Sequence, residues 1–196
     1  MLDFIRVAAC VPEVSVGDTA RNTAAILAQA REAGEKQPQL TVFPELSLTG
    51  YTCADLFFQS TLLEGAKAGL REIVRASAKL SSVLAVGLPL EADGKLWNCA
   101  AIVQGGQLRG LVPKTYIPNY NEFYEKRWFS SGLEVTEDVA ELLGEPVPIL
   151  PRAVFRVGGT LLGVEICEDM WTPLPPSTLL ALNGAEVILN LSASNE

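Results

Sequence analysis

Glu45, Lys114 and Cys167 are residue types that can carry out acyl transfer together, and each stands at or just beyond the end of a predicted strand. Because functional side chains of α/β sheets gather outside the carboxyl ends of strands, the three can converge. A carboxylate can take the thiol proton, the thiolate can attack a carbonyl or nitrile carbon, and an ammonium can stabilise the oxyanion that forms. The backbone N–H of Glu168, at the turn after the cysteine strand, can supply a second oxyanion donor.

Each of these residues also has a common structural explanation, and spacing alone leaves both explanations open. A cysteine after a strand usually belongs to an inert core, and Lys114 would ordinarily be a solvated surface lysine. Glu45 follows Pro44, where a glutamate more often caps or closes a loop. The acidic neighbours of Cys167 are expected to raise the pKa of its thiol, and a nearby lysine would offset them.

Histidine is absent from the 196 residues, and this absence narrows the chemistry. Ser-His-Asp and papain-like Cys-His catalysis cannot occur within the chain, and neither can a His-based metal site. The four cysteines, Cys10, Cys53, Cys99 and Cys167, form no C-x-x-C pair, which argues against zinc ribbons and thioredoxin-like redox motifs. Any acid–base work therefore falls to carboxylates, lysine or tyrosine.

The composition indicates one globular domain. Hydrophobic residues make up 48% of the chain and charged residues 19%, which is not the composition of a disordered protein. No apolar run approaches the roughly 20 residues that span a bilayer, and the first residues lack the order of a signal peptide, so we expect a cytoplasmic protein. The net charge of −8 argues against a nucleic-acid partner or an anionic membrane.

The elements that must position these residues alternate at first between strand and helix, and strands then cluster, which predicts an α/β fold with a mixed sheet. A buried strand is expected at residues 4–11, and Asp18 can cap a helix that ends near Gly34. Residues 115–131 are aromatic and charged without a clear period and predict a functional loop. The remaining predictions are strands at residues 40–43, 82–88, 154–166 and 186–191, a hairpin from residues 98–103 and 108–112, helices that begin at Thr61 and at residues 173–176, and a loop at residues 134–151.

Three short motifs, in this order, resemble the signature blocks of the nitrilase (carbon–nitrogen hydrolase) superfamily. They are FPELSLTGY at residues 43–51, PKTY at residues 113–116 and VEICED at residues 164–169. The resemblance implies a four-layer α-β-β-α sandwich with mixed sheets. It also implies that Glu45 is the general base, that Lys114 stabilises the tetrahedral intermediate and that Cys167 is the nucleophile.

Within that superfamily, the chain is most similar to the N-terminal glutaminase domains of glutamine-dependent NAD⁺ synthetases. The similarity runs over essentially the whole chain and is strongest in PKTYIPNYNEFYE at residues 113–125, CEDMW at residues 167–171 and NLSAS at residues 190–194. By that resemblance, Tyr120 and Ser194 are expected to contact glutamine, with Tyr51 and Glu168 as further pocket residues. Glu122 corresponds to the superfamily's additional glutamate beside the catalytic lysine.

The resemblance implies that residues 1–196 form part of a glutaminase domain that is incomplete at its C-terminus. The synthetase domain, with its Ser-Gly-Gly pyrophosphate-binding loop, is absent from this sequence, and so are a Walker A motif and a G-x-G-x-x-G motif. We therefore expect no cofactor in this chain and assign ATP, magnesium and deamido-NAD⁺ to the synthetase domain. The expected partners are L-glutamine, that synthetase domain and further copies of the chain in a homo-oligomer.

The implied reaction is the release of ammonia from glutamine through a thioester on Cys167, to supply the amidation of deamido-NAD⁺. Two alternatives stay open at this point. The chain can be a free-standing nitrilase-type amidase that acts on another small amide. It can also be a catalytically silent fragment that serves as an interaction module.

Overall fold

The computed structural model describes residues 4–194, and its larger sheet carries two of the three candidate residues. Five strands form this sheet: β1 (Val7–Ala9), β2 (Leu40–Val42), β3 (Val83–Ala92), β4 (Lys95–Gln104) and β5 (Gln107–Pro113). They lie side by side in sequence order. The first three run parallel, and β4 and β5 continue as antiparallel neighbours, so β2 and β5 point the same way. The carboxyl ends of β2 and β5 therefore meet at one edge of the sheet.

The chain then forms a small hairpin and a second sheet. The hairpin consists of β6 (Val139–Leu142) and β7 (Glu145–Pro148), and it lies beside β5, where the N–H of Leu150 donates to the Leu111 carbonyl. The second sheet has the spatial order β10-β9-β8, with β9 parallel to β10 and antiparallel to β8. Its strands are β8 (Val154–Val157), β9 (Thr160–Ile166) and β10 (Val187–Leu191).

The helices cover the outer faces of the two sheets. On the first sheet, α1 (Thr19–Gly34) and α2 (Ser60–Ser77) pack residues such as Ile26 and Ile73 against Leu84. On the second sheet, α3 (Pro176–Leu182) places Leu180 over β9. None of the helices within residues 4–194 is long and apolar enough to cross a membrane.

The inner faces of the two sheets pack against each other and complete the four layers. Ala85 and Ile102 of the first sheet share a buried cluster with Val164 and Leu189 of the second. Burying each side chain of this size stabilises the fold by about 1.5–3 kcal/mol, so the sheet-to-sheet contact is a main source of stability. The α-β-β-α sandwich with mixed sheets is thus confirmed.

The first predicted strand is shorter and more exposed than expected. A buried strand was expected at residues 4–11, but β1 covers only Val7–Ala9, and Phe4 and Val11 are 86% and 77% exposed. The reason is its position, because β1 lies at the edge of the sheet and pairs only with β2.

The helix starts show one correct and one wrong prediction. Asp18 caps α1, where its Oδ1 accepts the N–H of Arg21 at 3.0 Å. The predicted start of α2 at Thr61 is wrong, since the helix begins at Ser60 with Gln59 at the N-cap. The Gln59 carbonyl already accepts the N–H of Leu62 at 3.0 Å, so the chain enters the helix directly from the preceding turn.

Two predicted segments turn out to contain hairpins. The strand-like run at residues 154–166, which the sequence shows to be broken at Gly158 and Gly159, folds back there and gives β8 and β9, and the φ of +60° at Gly158 suits a two-residue turn. The expected loop at residues 134–151 contains β6 and β7, which turn at Leu143 and Gly144 with positive φ values. The prolines in that segment hid the strand pattern, because proline removes a ladder donor and is confined to sheet edges.

Candidate active site

Glu45 lies on a tight turn that follows β2 and packs directly against β3. The N–H of Leu48 in this turn donates to the Gly87 carbonyl at 3.2 Å. Gly87 permits the close approach, because an added Cβ there would lie 2.4 Å from the Pro44 carbonyl oxygen and 2.7 Å from the Glu45 Cα. The turn holds the Glu45 side chain in the interior, where the residue is only 2% exposed.

Lys114 follows β5, and its side chain is completely buried. Its Nζ lies 2.7 Å from Glu45 Oε1 and 2.8 Å from Glu125 Oε1. Burial alone would lower the pKa of the Lys114 ammonium, but the charges of Glu45 and Glu125 outweigh burial and raise that pKa above its usual range. Lys114 is therefore a fixed positive charge, suited to stabilising an oxyanion rather than to accepting a proton.

A second carboxylate that contacts Lys114 is that of Glu125, which the sequence analysis did not single out. Residues 119–124 form a loop whose base is closed by a hydrogen bond of 3.1 Å from the Glu125 N–H to the Pro118 carbonyl. This closure returns the chain to the lysine at Glu125 and leaves Glu122 exposed on the loop. Glu125 therefore supports Lys114 directly, and a supporting role of Glu122 stays a prediction.

Glu125 completes a buried cluster with a deficit of positive charge. Burial raises the pKa of Glu125, and Lys114 offsets this only in part because its single charge is shared with Glu45. The Tyr51 hydroxyl donates to Glu125 Oε1 at 2.7 Å. Burial and then the charge of Glu125 raise the pKa of Tyr51, so the phenol stays a hydrogen-bond donor. Tyr51, expected as a pocket residue, thus also holds the carboxylate of Glu125 in place.

Cys167 stands at the first position of a 3₁₀ turn, Cys167–Trp171, that follows β9 without a linker. Its φ is 45°, in the left-handed region, which costs a non-glycine residue about 1–2 kcal/mol. A strained residue between a strand and a helical turn has the geometry of a nucleophile elbow. Such an elbow presents the side chain at the strand end, where Cys167 meets the residues of the first sheet.

The charges of Glu45 and Lys114 both affect the pKa of the Cys167 thiol. Burial raises its pKa above the usual value and the charge of Glu45 adds to this, whereas Lys114 and the hydroxyl of Ser194 lower it. The Sγ lies 3.5 Å from the Ser194 Oγ. Because the thiol is mostly protonated at neutral pH, it needs a base that takes its proton when it attacks.

Asp169 joins the two strand ends that carry Lys114 and Cys167. Its Oδ1 accepts the N–H groups of Tyr116 at 2.7 Å and Thr115 at 3.1 Å, and its Oδ2 accepts the N–H of Ile166 at 3.0 Å. Burial raises the pKa of Asp169 to about 6, although these backbone donors favour the ionised form. One buried side chain thus ties the elbow of the second sheet to the residues that follow Lys114 in the first.

Tyr120 and Glu168 meet at the outer side of the site. The Tyr120 hydroxyl donates to Glu168 Oε2 at 2.8 Å, and this hydrogen bond raises the pKa of Tyr120. Both residues line a cleft of about 740 Å³, together with residues from 115–119 and 129–134. Within the described residues, this cleft is not lined by the three catalytic candidates. Tyr120 and Glu168 therefore face this cleft next to the turn that begins at Cys167.

The structure brings Glu45, Lys114 and Tyr51 into one hydrogen-bonded group with Glu125. The Cys167 thiol contacts Ser194 and is influenced by the charges of Glu45 and Lys114, and Tyr120 contacts Glu168 beside it. Sequence reasoning missed four contributions: Glu125 beside Lys114, Gly87 under the Glu45 turn, Asn98 on β4 and the role of Asp169. One signal was available, because Asn98 is a lone polar residue in the apolar run at residues 96–103. A buried polar side chain in a strand needs a partner, and that partner is Glu45.

We predict that Gly87→Ala lowers the free energy of unfolding by about 1–3 kcal/mol, because the new Cβ overlaps backbone atoms that cannot rotate away. The matched control is Gly159→Ala in the turn between β8 and β9. An added Cβ there meets nothing within 4 Å, and its φ is not positive. The control is expected to change stability by less than about 0.5 kcal/mol. Urea denaturation of both variants measures the difference, and equal stabilities would contradict the close packing of the Glu45 turn.

Comparisons with known proteins agree with this geometry. The family model described as carbon–nitrogen hydrolase matches residues 6–196. The chain is 42% identical over 193 residues to the glutamine-dependent NAD(+) synthetase of Mycobacterium leprae, a match that covers 97% of this chain and 28% of that protein. This chain therefore spans well under a third of that relative's length.

Solved structures give the same result. A glutamine-dependent NAD(+) synthetase from Cytophaga hutchinsonii superposes with a TM-score of 0.85 at 28% identity, over 98% of this chain and 31% of that chain. An amidase from Nesterenkonia sp. superposes with a TM-score of 0.75 at 22% identity, over 98% of this chain and 66% of that chain. The second likeness concerns the fold alone.

Proposed function

The chain belongs to the carbon–nitrogen hydrolase family, and we propose that it hydrolyses the side-chain amide of glutamine to glutamate and ammonia. The observation that carries the proposal is the buried Lys114 ammonium, held by Glu45 beside a strained Cys167. This arrangement supplies a base, an oxyanion stabiliser and a nucleophile without histidine. The relatives named above, which are glutamine-dependent enzymes by description, support glutamine as the amide.

In the first half of the reaction, Cys167 forms a thioester. The Sγ–H proton moves to the Glu45 carboxylate as sulfur attacks the amide carbon, and the carbonyl oxygen becomes an oxyanion. Lys114 Nζ and the backbone N–H of Glu168 stabilise that oxyanion. The C–N bond then breaks, and the proton held by Glu45 passes to the departing nitrogen, which leaves as ammonia.

In the second half, water cleaves the thioester. Glu45 takes a proton from the water as its oxygen attacks the thioester carbon, and the same two donors stabilise the second oxyanion. The C–S bond breaks and the proton returns from Glu45 to the Cys167 thiolate. The product leaves as the γ-carboxylic acid, which loses its proton to solvent and becomes glutamate. The net consumption is one water for each ammonia released, and the site returns to its starting protonation.

Four side chains are proposed to recognise the substrate. Ser194 lies next to the Cys167 Sγ and can contact the amide end of glutamine. Glu168, with Tyr120 bound to its carboxylate, can accept hydrogen bonds from the α-ammonium group. Tyr51 is linked to the catalytic lysine through Glu125, to which its hydroxyl donates a hydrogen bond. Glutamine is thereby held at both ends, with its amide carbon at the thiol.

We further propose that the ammonia is used by a synthetase domain for the amidation of deamido-NAD⁺. The length relationship supports this, because the chain covers only 28% of its Mycobacterium leprae relative. ATP, magnesium and deamido-NAD⁺ would then bind to that domain, and no cofactor is assigned to residues 1–196. A homo-oligomeric assembly in the cytoplasm belongs to the same proposal.

An amide panel tests the substrate assignment on the full-length protein that carries this sequence. We expect kcat/KM for glutamine to exceed that for asparagine by roughly 10–200-fold, the usual cost of one missing methylene. Butyramide, which lacks the ammonium and carboxylate groups, is expected to fall by about 10⁴-fold because the polar groups of the site are left unpaired. Ammonia and carboxylate products are measured together. Butyramide turnover equal to that of glutamine would identify a general small-amide hydrolase instead.

A further inference from the structure

Asn98 connects the base and the lysine of the site from within β4. Its side chain is buried, with the residue only 1% exposed. The side-chain Nδ2 donates to Glu45 Oε1 at 2.7 Å, and the backbone carbonyl accepts the N–H of Lys114 at 2.8 Å. A single residue thereby touches both the carboxylate and the backbone that carries the ammonium.

The two oxygens of the Glu45 carboxylate have different surroundings. Oε1 accepts hydrogen bonds from Lys114 Nζ and from Asn98 Nδ2, each at 2.7 Å. Oε2 is equally buried, yet no group within residues 4–194 donates a hydrogen bond to it. A buried acceptor without a donor is unfavourable, which points to a proton-bearing partner during the reaction. Oε2 is thus the oxygen that is free to take a proton.

The orientation of the Asn98 amide follows from its neighbours. The reversed amide would place Oδ1 against Glu45 Oε1, and two acceptors would then oppose each other without a hydrogen between them. The amide nitrogen must therefore face Glu45. The carboxylate is held at Oε1 by two donors, Asn98 on β4 and Lys114 just after β5, and these hydrogen bonds oppose a rotation that would exchange the two oxygens.

We propose that Asn98 is a positioning residue for amide hydrolysis: it holds Glu45 by Oε1 so that Oε2 alone carries the proton. The inference rests on the proposed function of this site. In each half of the reaction, Oε2 receives the proton, first from the Cys167 thiol and then from water, and passes it on to nitrogen and to sulfur. Asn98 itself touches neither substrate nor the reacting atoms.

The test compares Asn98→Ala with Ser77→Ala in the full-length protein. Ser77 is also fully buried and makes two hydrogen bonds, to the Val74 carbonyl and from the Gly106 N–H, but it lies at the opposite end of the β4–β5 hairpin. For Asn98→Ala we expect kcat to fall by roughly 10–100-fold, the usual effect of a loosened catalytic group, with KM within about twofold. Ser77→Ala is expected to lose stability and to keep both constants.

The pH profile separates positioning from general damage. Without the Asn98 donor, ionised Glu45 is less favoured, so the acid limb of the kcat/KM profile is expected to move to higher pH. Asn98→Asp keeps the size of the side chain but puts a second carboxylate against Oε1. This variant is expected to move the acid limb to still higher pH. An acid limb that stays at the wild-type position in both variants would overturn the inference, and so would an unchanged kcat.

An activity-independent measurement keeps this inference distinct from the proposed function. If the wild-type protein hydrolyses no amide, the proposed function fails. Alkylation of Cys167 by iodoacetamide, followed by peptide mass mapping, still reports on Glu45, because the charge of Glu45 acts on the thiol. The alkylation rate of Cys167 near neutral pH is expected to fall several-fold in Asn98→Ala, because a carboxylate that is no longer held in place takes the thiol proton less effectively, and an unchanged rate would contradict the role of Asn98.

Discussion

Replacing Cys167 by alanine is expected to lower ammonia release from glutamine by about 10⁴-fold or more, because no covalent intermediate can form. The expectation follows from the site, since Cys167 is the one cysteine within residues 4–194 whose thiol pKa is influenced by the charges of both Glu45 and Lys114. Cys53 and Cys99 are buried in the core, and Cys10 is half-buried beside α1. Ammonia release from the full-length protein, with glutamate measured in parallel, gives the direct readout.

The strained backbone at Cys167 adds a second expectation for stability. Alanine at this position keeps a side chain in the left-handed region, at a φ of 45°. Glycine adopts that region freely, so Cys167→Gly is expected to be more stable than Cys167→Ala by about 0.5–1 kcal/mol. Both variants are expected to be inactive. A glycine variant that is no more stable than the alanine variant would contradict backbone strain at this position.

The control for the thiol is Cys10→Ala. Burial and the charge of Glu32 raise the pKa of Cys10, so it resembles Cys167 in being a partly buried, protonated thiol. It lies away from Glu45 and Lys114, and its replacement is expected to leave kcat and KM within about twofold of wild type. If Cys167→Ala retained more than a tenth of the wild-type rate, the nucleophile assignment would be wrong.

The positions of the catalytic candidates were predictable because strands of this chain end where polarity changes. Apolar runs stop just before Glu45, Lys114 and Cys167, and strand ends of α/β sheets share an edge. The layer order followed from the resemblance and not from periodicity. The sequence predicts β1 to be buried, whereas it is an exposed edge strand, because apolar content alone does not distinguish an edge strand of a sheet from a central one.

The supporting contacts were not predictable, because each depends on how distant segments close on one another. The contact of Glu125 with the lysine depends on the hydrogen bond between the Glu125 N–H and the Pro118 carbonyl at the base of a loop. Asp169 accepts N–H groups from a strand end more than fifty positions earlier, a pairing that no local pattern encodes. Asn98 was visible as a polar residue in an apolar strand, but its partner was not.

Replacing Lys114 by methionine is expected to abolish measurable turnover and to destabilise the protein by about 3–5 kcal/mol, because it leaves uncompensated buried carboxylates. Methionine has a similar length, so the loss is one of charge and hydrogen bonds rather than volume. The matched control is Lys67→Met, which removes an exposed pair with Glu64 at 2.9 Å. Such a surface pair contributes about 0–1 kcal/mol, so the control is expected to stay near wild type.

The cost of Lys114→Met is expected to depend on pH in a defined direction. Burial already raises the pKa of Glu125 in the wild-type protein, and removal of the ammonium raises it further. A carboxyl group whose folded pKa lies above its unfolded value favours folding at low pH and loses that contribution as the pH rises through the folded pKa. The stability deficit of the variant is therefore expected to be largest at about pH 8 and to shrink toward about pH 5. Urea denaturation across this range measures it.

A double variant separates the structural role of Lys114 from its catalytic role. Lys114→Met combined with Glu125→Gln removes the ammonium and the charge of one carboxylate that it compensates. We expect this variant to recover about 1–3 kcal/mol of the lost stability, since an amide can be buried at lower cost than an unpaired charge. Turnover is expected to stay absent, because the oxyanion still lacks its cation. Recovery of turnover together with stability would mean that Lys114 serves only to hold the fold.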